Sequence, residues 1–180
     1  GNNSVANGKI TKYTPFKNVY IQPASGDAGG AIGAAYYTWN NILKNKRNFV
    51  MKHSYWGNSY SNEYIKKEIT KNINKIKNEK CTIDFIDENK KQTEIVAKFI
   101  SDGLVVGWFQ GKMEWGPRAL GNRSILADPR RADMKDILNL KIKKRESFRP
   151  FAPSIMREHV SDWFEIDSEV PFMMKVFQIK

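Results

Sequence analysis

The sequence predicts a mixed fold of the α/β or α+β class, in which helices alternate with short strands. Three observations lead there. Apolar residues recur at helical spacing in separate stretches, short Val-, Ile- and Phe-rich runs lie between them, and glycine turns join the two kinds of segment. At 180 residues the chain is long enough for one substantial domain or two small ones. Hydrophobic residues make up 41% and aromatic residues 12%, a globular composition rather than a disordered one. No run of about 18 apolar residues occurs, and the first residues show no basic stretch followed by an apolar one, so a cytoplasmic protein without a membrane segment is expected. Cys81 is the only cysteine, which excludes an internal disulfide and a cysteine metal cluster; a buried or idle thiol is expected.

Taken in order, the opening GNNSVANGKI is turn-rich and begins without methionine, as an excised fragment would. Val19 to Ile21 reads as a short strand, Ala24 to Ala35 as a glycine turn opening a helix that reaches about Lys44. Phe49 to Ser61 is polar and aromatic without clear period, and is expected to connect two packed units, residues 1–50 and residues 51–180. Ser61 is placed to cap a helix with Ile65, Ile69, Ile73 and Ile76 on one face and most of its lysines off it, a docked surface helix rather than a nucleic-acid reader. Cys81 to Asp87 alternates like a strand, and Thr93 to Ser101 reads as a helix that Gly103 ends. Leu104 to Phe109 is a buried strand leading into the loop Gln110 to Pro117. Ser124 to Leu126 reads as a strand, Ala132 to Asn139 and Arg157 to Phe164 as helices, and Phe172 to Ile179 as a last strand of a sheet cut short by the chain's end.

The net charge of +11 favours anionic partners, and its distribution narrows them. Before residue 118 the chain has 16 Lys and one Arg; from Arg118 onward it has 6 Lys and 7 Arg. Lys is a flexible point charge suited to a solvated surface, whereas the planar guanidinium grips phosphate or carboxylate through paired hydrogen bonds. The arginines gather within Lys112 to Pro153, where glycines and a proline-fixed turn follow directly on a buried strand, an arrangement suited to an oxyanion pocket. Arg118, Arg123, Lys143, Arg145 and Arg149 are the candidate catalytic cations; Lys112, Glu114, Asn122, Ser124 and Arg130 are candidate substrate contacts, with Glu114 expected to orient an arginine rather than to act as a base. A second constellation, Gly26-Asp27-Ala28-Gly29-Gly30, allows close backbone approach and a helix N-terminus turned toward an anion. An acidic residue in such a turn suits a metal ion or a ribose hydroxyl; tight helix packing is the competing explanation of these glycines.

The strings VYIQPASGDAGGAIGAA (Val19 to Ala35) and, within Val105 to Pro153, EWGPRALGNRSILADPR and FRPFAP resemble the nodulation-type O-carbamoyltransferases. The resemblance covers nearly the whole chain and is weakest between Met51 and Gln92. It implies a two-domain enzyme. The first domain would be of the actin/hexokinase (ASKHA) type and bind nucleotide and a metal; the second, a YrdC-like mixed sheet with helices, would convert carbamoyl phosphate and ATP to carbamoyl-adenylate before a hydroxyl of a sugar or natural product is carbamoylated. On this resemblance residues 1–50 are the end of the ASKHA-like domain and residues 51–180 the YrdC-like domain. Gly26, Asp27, Gly29 and Gly30 would bind nucleotide, and Lys143-Lys144-Arg145 resembles a K-x-R signature. Asp27 is similar to a metal ligand, but the paired histidines that would complete the site are absent, since His53 and His159 are isolated. The divalent metal, Fe or Mg, is therefore expected in a full-length enzyme and not in this fragment. The implied partners are carbamoyl phosphate, ATP, a hydroxylated acceptor and a missing amino-terminal domain, with no nucleic acid and no membrane. The fragment alone is expected to lack full transferase activity. The rival reading is a basic YrdC-like module that binds RNA or another anion, or regulates a partner, without catalysis.

Overall fold

The computed structural model describes residues 1–180 and has an α+β architecture, with a single two-stranded sheet among seven short helices. The chain divides into two compact units: residues 1–57, 113–120 and 152–180 form the first, and residues 58–112 and 121–151 the second.

The first unit opens with α1 (Ser4–Tyr13), a helix where a turn-rich segment is expected. Its start is specified locally, because the Asn3 side chain accepts a hydrogen bond from the Ala6 N–H at 3.0 Å. The helix is then tied to the far end of the sequence. Buried Asn7 donates from its amide to the Met174 carbonyl at 2.8 Å, and the Val176 N–H donates to the Ser4 carbonyl at 3.1 Å. Asp27–Gly29 form a 3-10 turn that runs into α2 (Gly30–Tyr37), continued by a π-helical turn over Thr38–Ile42, so the helix expected to reach Lys44 is present. The core gathers Met51, Phe172 and Met174, with Ile21, Ile32, Trp115 and Leu120 packed against them.

Two strands expected in this unit are not formed. Val19 to Ile21 pairs with nothing, and Phe172 to Ile179 is replaced by a 3-10 turn at Pro171–Met173 and a single bridge between Phe164 and Ile179. Phe172 and Met173 adopt left-handed φ values of 67° and 53°, which no extended strand accommodates. Burial of Phe172 in the core accompanies that turn. Arg157 to Phe164, expected as a helix, is a 3-10 turn leading into α7 (Val160–Trp163).

The second unit contains α3 (Asn62–Lys71), capped by the Ser61 hydroxyl, which accepts from the Tyr64 N–H at 3.2 Å, and α4 (Ile73–Asn78), separated from it at Asn72. The expected strand at Cys81 to Asp87 is absent: those residues have no regular structure, and the Cys81 thiol is exposed. Alternating side chains alone do not make a strand where no neighbour supplies the ladder. α5 (Asn89–Ser101) ends as expected at Gly103, whose φ of +84° is the left-handed conformation that closes many helices. β1 (Val106–Phe109) pairs antiparallel with β2 (Arg123–Leu126), in a register that sets Trp108 opposite Ser124 and Phe109 opposite Arg123. α6 (Met134–Asp136) passes into a π-helical segment, Ile137–Ile142, so the helix expected over Ala132 to Asn139 begins late and runs on.

Glycines differ sharply in what they permit. A Cβ on Gly8 of α1 would overlap the Val176 carbonyl oxygen, whereas one on Gly30 of α2 meets nothing within 4 Å. Gly8→Ala is therefore predicted to lower stability by about 1–3 kcal/mol, the usual scale of overpacking, while Gly30→Ala leaves thermal unfolding unchanged or slightly raised; chemical and thermal denaturation of the two variants measure the difference.

Candidate functional site

The sequence-derived candidates fall into both units. In the first, the loop 114–120 is closed on itself and fastened at its base. The Glu114 carboxylate, 4% exposed, accepts from the Leu120 N–H at 2.7 Å. The Trp115 N–H donates to the Ser54 carbonyl at 2.6 Å, and the Tyr55 hydroxyl donates to the Leu120 carbonyl at 2.8 Å. Gly116, at φ +110°, lies against the chain at Pro23: a Cβ there would stand 2.9 Å from the Pro23 carbonyl oxygen. The loop thus carries Arg118 to the start of the glycine segment. Arg118 Nη2 donates to the Asn2 carbonyl at 3.3 Å, and Asn2 Oδ1 accepts from the Ser25 hydroxyl at 2.8 Å. Arg118 Nε is buried with no hydrogen-bond partner, a donor that a bound anion would satisfy.

The glycine segment itself serves two ends. Gly29 is required by packing, since a Cβ would overlap the Ala24 carbonyl oxygen. Gly30 and Gly33 face open space, which leaves the α2 backbone accessible to a ligand. The Gly26 carbonyl accepts from the Gly29 N–H at 2.9 Å, shaping the turn on which exposed Asp27 stands. Beside it, α2 and the segment 46–51 line a pocket of about 800 Å³, with Tyr20, Tyr36, Trp39, Asn40 and Phe49 among its walls. These features fit a nucleotide. They do not assemble a metal site: no group of three or more His, Cys, Asp or Glu side chains comes together anywhere in the chain, and Asp27 has no companion ligands.

In the second unit the mouth of the β1–β2 hairpin brings together Lys112, Asn122 and Ser124. Asn122 Nδ2 donates to the Lys112 carbonyl at 2.6 Å, and the Ser124 hydroxyl accepts from the Gly121 N–H at 3.0 Å. Arg123 opens β2. Arg130 is turned elsewhere, clamping Asp128 through Nε at 2.9 Å and Nη2 at 2.7 Å.

Lys143, Arg145 and Arg149 share one loop, and a residue that the motif reading passed over organises it. Asn139 is 0% exposed. Its amide nitrogen donates to the Ser147 carbonyl at 3.2 Å and the Arg149 carbonyl at 2.9 Å, and its Oδ1 accepts from Arg145 Nε at 2.7 Å. Arg145 also stacks on Phe151, 4.9 Å from the ring centre, and Arg149 pairs with Glu146 at 3.2 Å. Lys144 takes φ 49° at the turn. The sequence signal for Asn139 was weak: a lone polar residue between Leu138 and Leu140 on an otherwise apolar stretch. Asp128 was also passed over, although it lies 5% exposed and is clamped by Arg130.

The hydrogen bonds from the Arg130 side chain and N–H hold the Asp128 carboxyl down to about 2 from its ordinary 3.8. A depressed carboxylate pKa adds stability that is fully present above the ordinary value and lost as pH falls through the folded one. Wild-type protein should therefore lose stability more steeply between pH 3.8 and 2 than the Asp128→Asn variant; urea midpoints measured across that interval check it, and parallel profiles contradict it.

Comparison with known proteins agrees with the motifs. The family model for the carbamoyltransferase C-terminus matches residues 97–180, and that for the carbamoyltransferase N-terminus matches residues 1–36. An uncharacterized Synechocystis protein is 46% identical over 99% of this chain and 29% of its own length. The nodulation protein NolNO of Sinorhizobium fredii is 41% identical over 99% of the chain and 26% of its own length. A 3'-hydroxymethylcephem-O-carbamoyltransferase of Streptomyces clavuligerus is 30% identical over 88% of the chain and 27% of its own length. The chain thus spans between a quarter and a third of each of these relatives, and it belongs to the nodulation-type carbamoyltransferase family.

Proposed function

We propose that this chain supplies the anion-binding part of an ATP-dependent O-carbamoyltransferase, gripping carbamoyl phosphate with the Asn139-anchored loop of the second unit and nucleotide with the glycine segment and Arg118 of the first. Residues 1–50 are read as the end of an ASKHA-type nucleotide-binding domain and residues 51–180 as a YrdC-like domain. One observation carries the reading. Arg145 is fixed through Nε and through its ring contact, so its two terminal nitrogens, which make no hydrogen bond within the protein, remain as a fork for an oxyanion. Lys143 and Lys144 stand beside it and form no ion pair, adding positive charge at the same turn.

The chemistry asks for this. Water hydrolyses carbamoyl phosphate to carbamate and inorganic phosphate; a carbamate oxygen then attacks the α-phosphorus of ATP and pyrophosphate leaves, and the acceptor hydroxyl, giving up its proton, attacks the carbamoyl carbon of the adenylate with AMP as leaving group. Each step handles phosphate charge, and arginines neutralise it without changing protonation state. Lys112, Asn122, Ser124 and Arg123 at the hairpin mouth serve as further contacts to the donor. Arg118, with its buried Nε unsatisfied, serves the nucleotide phosphates at the start of α2. The cephem relative's name specifies a hydroxymethyl acceptor for that enzyme; for this chain a hydroxylated acceptor is the corresponding proposal.

Isothermal titration of carbamoyl phosphate tests the donor site. Saturable binding is expected, weakened roughly tenfold or more by Arg145→Ala and unchanged by Arg157→Ala, whose side chain pairs with Asp167 in the first unit. Binding that is absent, or equal in both variants, would remove the loop from the donor site.

A further inference from the structure

We propose that Asn139 is a positioning residue for carbamoyl phosphate, acting through Arg145 rather than touching the ligand. The inference rests on the donor-site reading above and adds to it a residue that no motif or relative assigns.

The argument starts from burial. A side-chain amide has two donors and an acceptor, and one that is 0% exposed has no water to satisfy them. Asn139 satisfies all of its groups on the five-residue stretch Arg145 to Arg149, using Arg145 Nε, the Ser147 carbonyl and the Arg149 carbonyl. Its own backbone carbonyl adds a fourth tie, accepting from the Arg145 N–H at 2.9 Å. Every one of these bonds falls on the loop that carries the candidate cations; none joins Asn139 to the helices or strands of the unit. A residue needed only for general packing would spread its contacts over the core around it.

Its position in the backbone points the same way. Asn139 sits in the π-helical segment Ile137–Ile142, where the Lys143 N–H reaches the Leu138 carbonyl at 2.8 Å and the Arg145 N–H reaches Asn139. The wider turn rotates Asn139 toward the following loop, and π-helical turns of this kind recur at functional sites. The consequence for Arg145 is directional. Nε is held by Asn139 Oδ1 at 2.7 Å and the guanidinium plane by Phe151, which fixes where the fork formed by the terminal nitrogens lies. Without Asn139 the charge stays and its orientation is lost.

The test is a double-mutant cycle on the 180-residue chain, reading carbamoyl phosphate affinity by calorimetry and the exchange rate of the Arg145 Nε–H by nitrogen-15 NMR. Asn139→Leu should weaken binding roughly tenfold in the wild-type background and less than about twofold in an Arg145→Ala background, because the effect passes through Arg145. The same factor in both backgrounds would show a merely structural loss and overturn the proposal. Should Asn139→Leu fail to fold, Asn139→Ala takes its place in the cycle with the same two factors expected, and equal factors in both backgrounds overturn the proposal. The Nε–H should exchange slowly in wild type and fast in Asn139→Ala; fast exchange in wild type overturns the inference whatever carbamoyl phosphate does. Slow exchange together with no carbamoyl phosphate binding sinks the donor-site reading instead, and the positioning role with it.

Discussion

A buried amide that must be satisfied without water is the constraint on which the cation loop depends. Asn139 meets that constraint by reaching forward in sequence, to Arg145, Ser147 and Arg149, so the most basic turn of the second unit is organised from beneath by a neutral residue. Like charges gathered on one turn repel, and without a bound anion they would splay apart. Here the tendency is opposed in three ways: Arg145 is held by Asn139 and Phe151, Arg149 is partly neutralised by Glu146, and the backbone turns through the left-handed Lys144. The first unit solves a similar problem differently. Its loop 114–120 is held by the carboxylate of Glu114 on the Leu120 N–H, and Arg118 comes to the glycine segment through Asn2 and the contact of Gly116 with Pro23.

What was legible in the sequence was what local chemistry specifies. The Ser61 cap, the Gly103 helix end, the β1 and β2 strands around a glycine-rich loop, and the helix following Gly29 are each encoded within a few residues. What was not legible depended on distant partners. Cys81 to Asp87 has the alternation of a strand but no neighbour to pair with, and Phe172 to Ile179 gave up extended structure where Pro171 and two left-handed residues turn Phe172 into the core. The opening helix was hidden by its Asn and Gly content, although Asn3 was a cap in plain view. Gly8 there reflects close packing on Val176, a reason that only the folded chain reveals.

The candidate site followed the same division. Arginine enrichment and rare motifs led to the loops proposed as the site, because charge and glycine are visible without coordinates. They did not reveal which cations were already engaged. Arg130, a candidate substrate contact in the sequence, is spent on Asp128, while Arg145, a candidate catalytic cation, keeps its terminal nitrogens unbonded. Nor did they find Asn139, since a single buried asparagine between two leucines carries no pattern. Supporting residues of this kind are defined by what they hold, and that is a property of the fold.

The most direct test of the account is a crystal structure of this chain soaked with carbamoyl phosphate. The account predicts phosphate density within hydrogen-bonding distance of the Arg145 terminal nitrogens, with Arg145 Nε still on Asn139. Density confined to another site, or an Arg145 side chain swung away from Asn139 to meet the ligand, would contradict it.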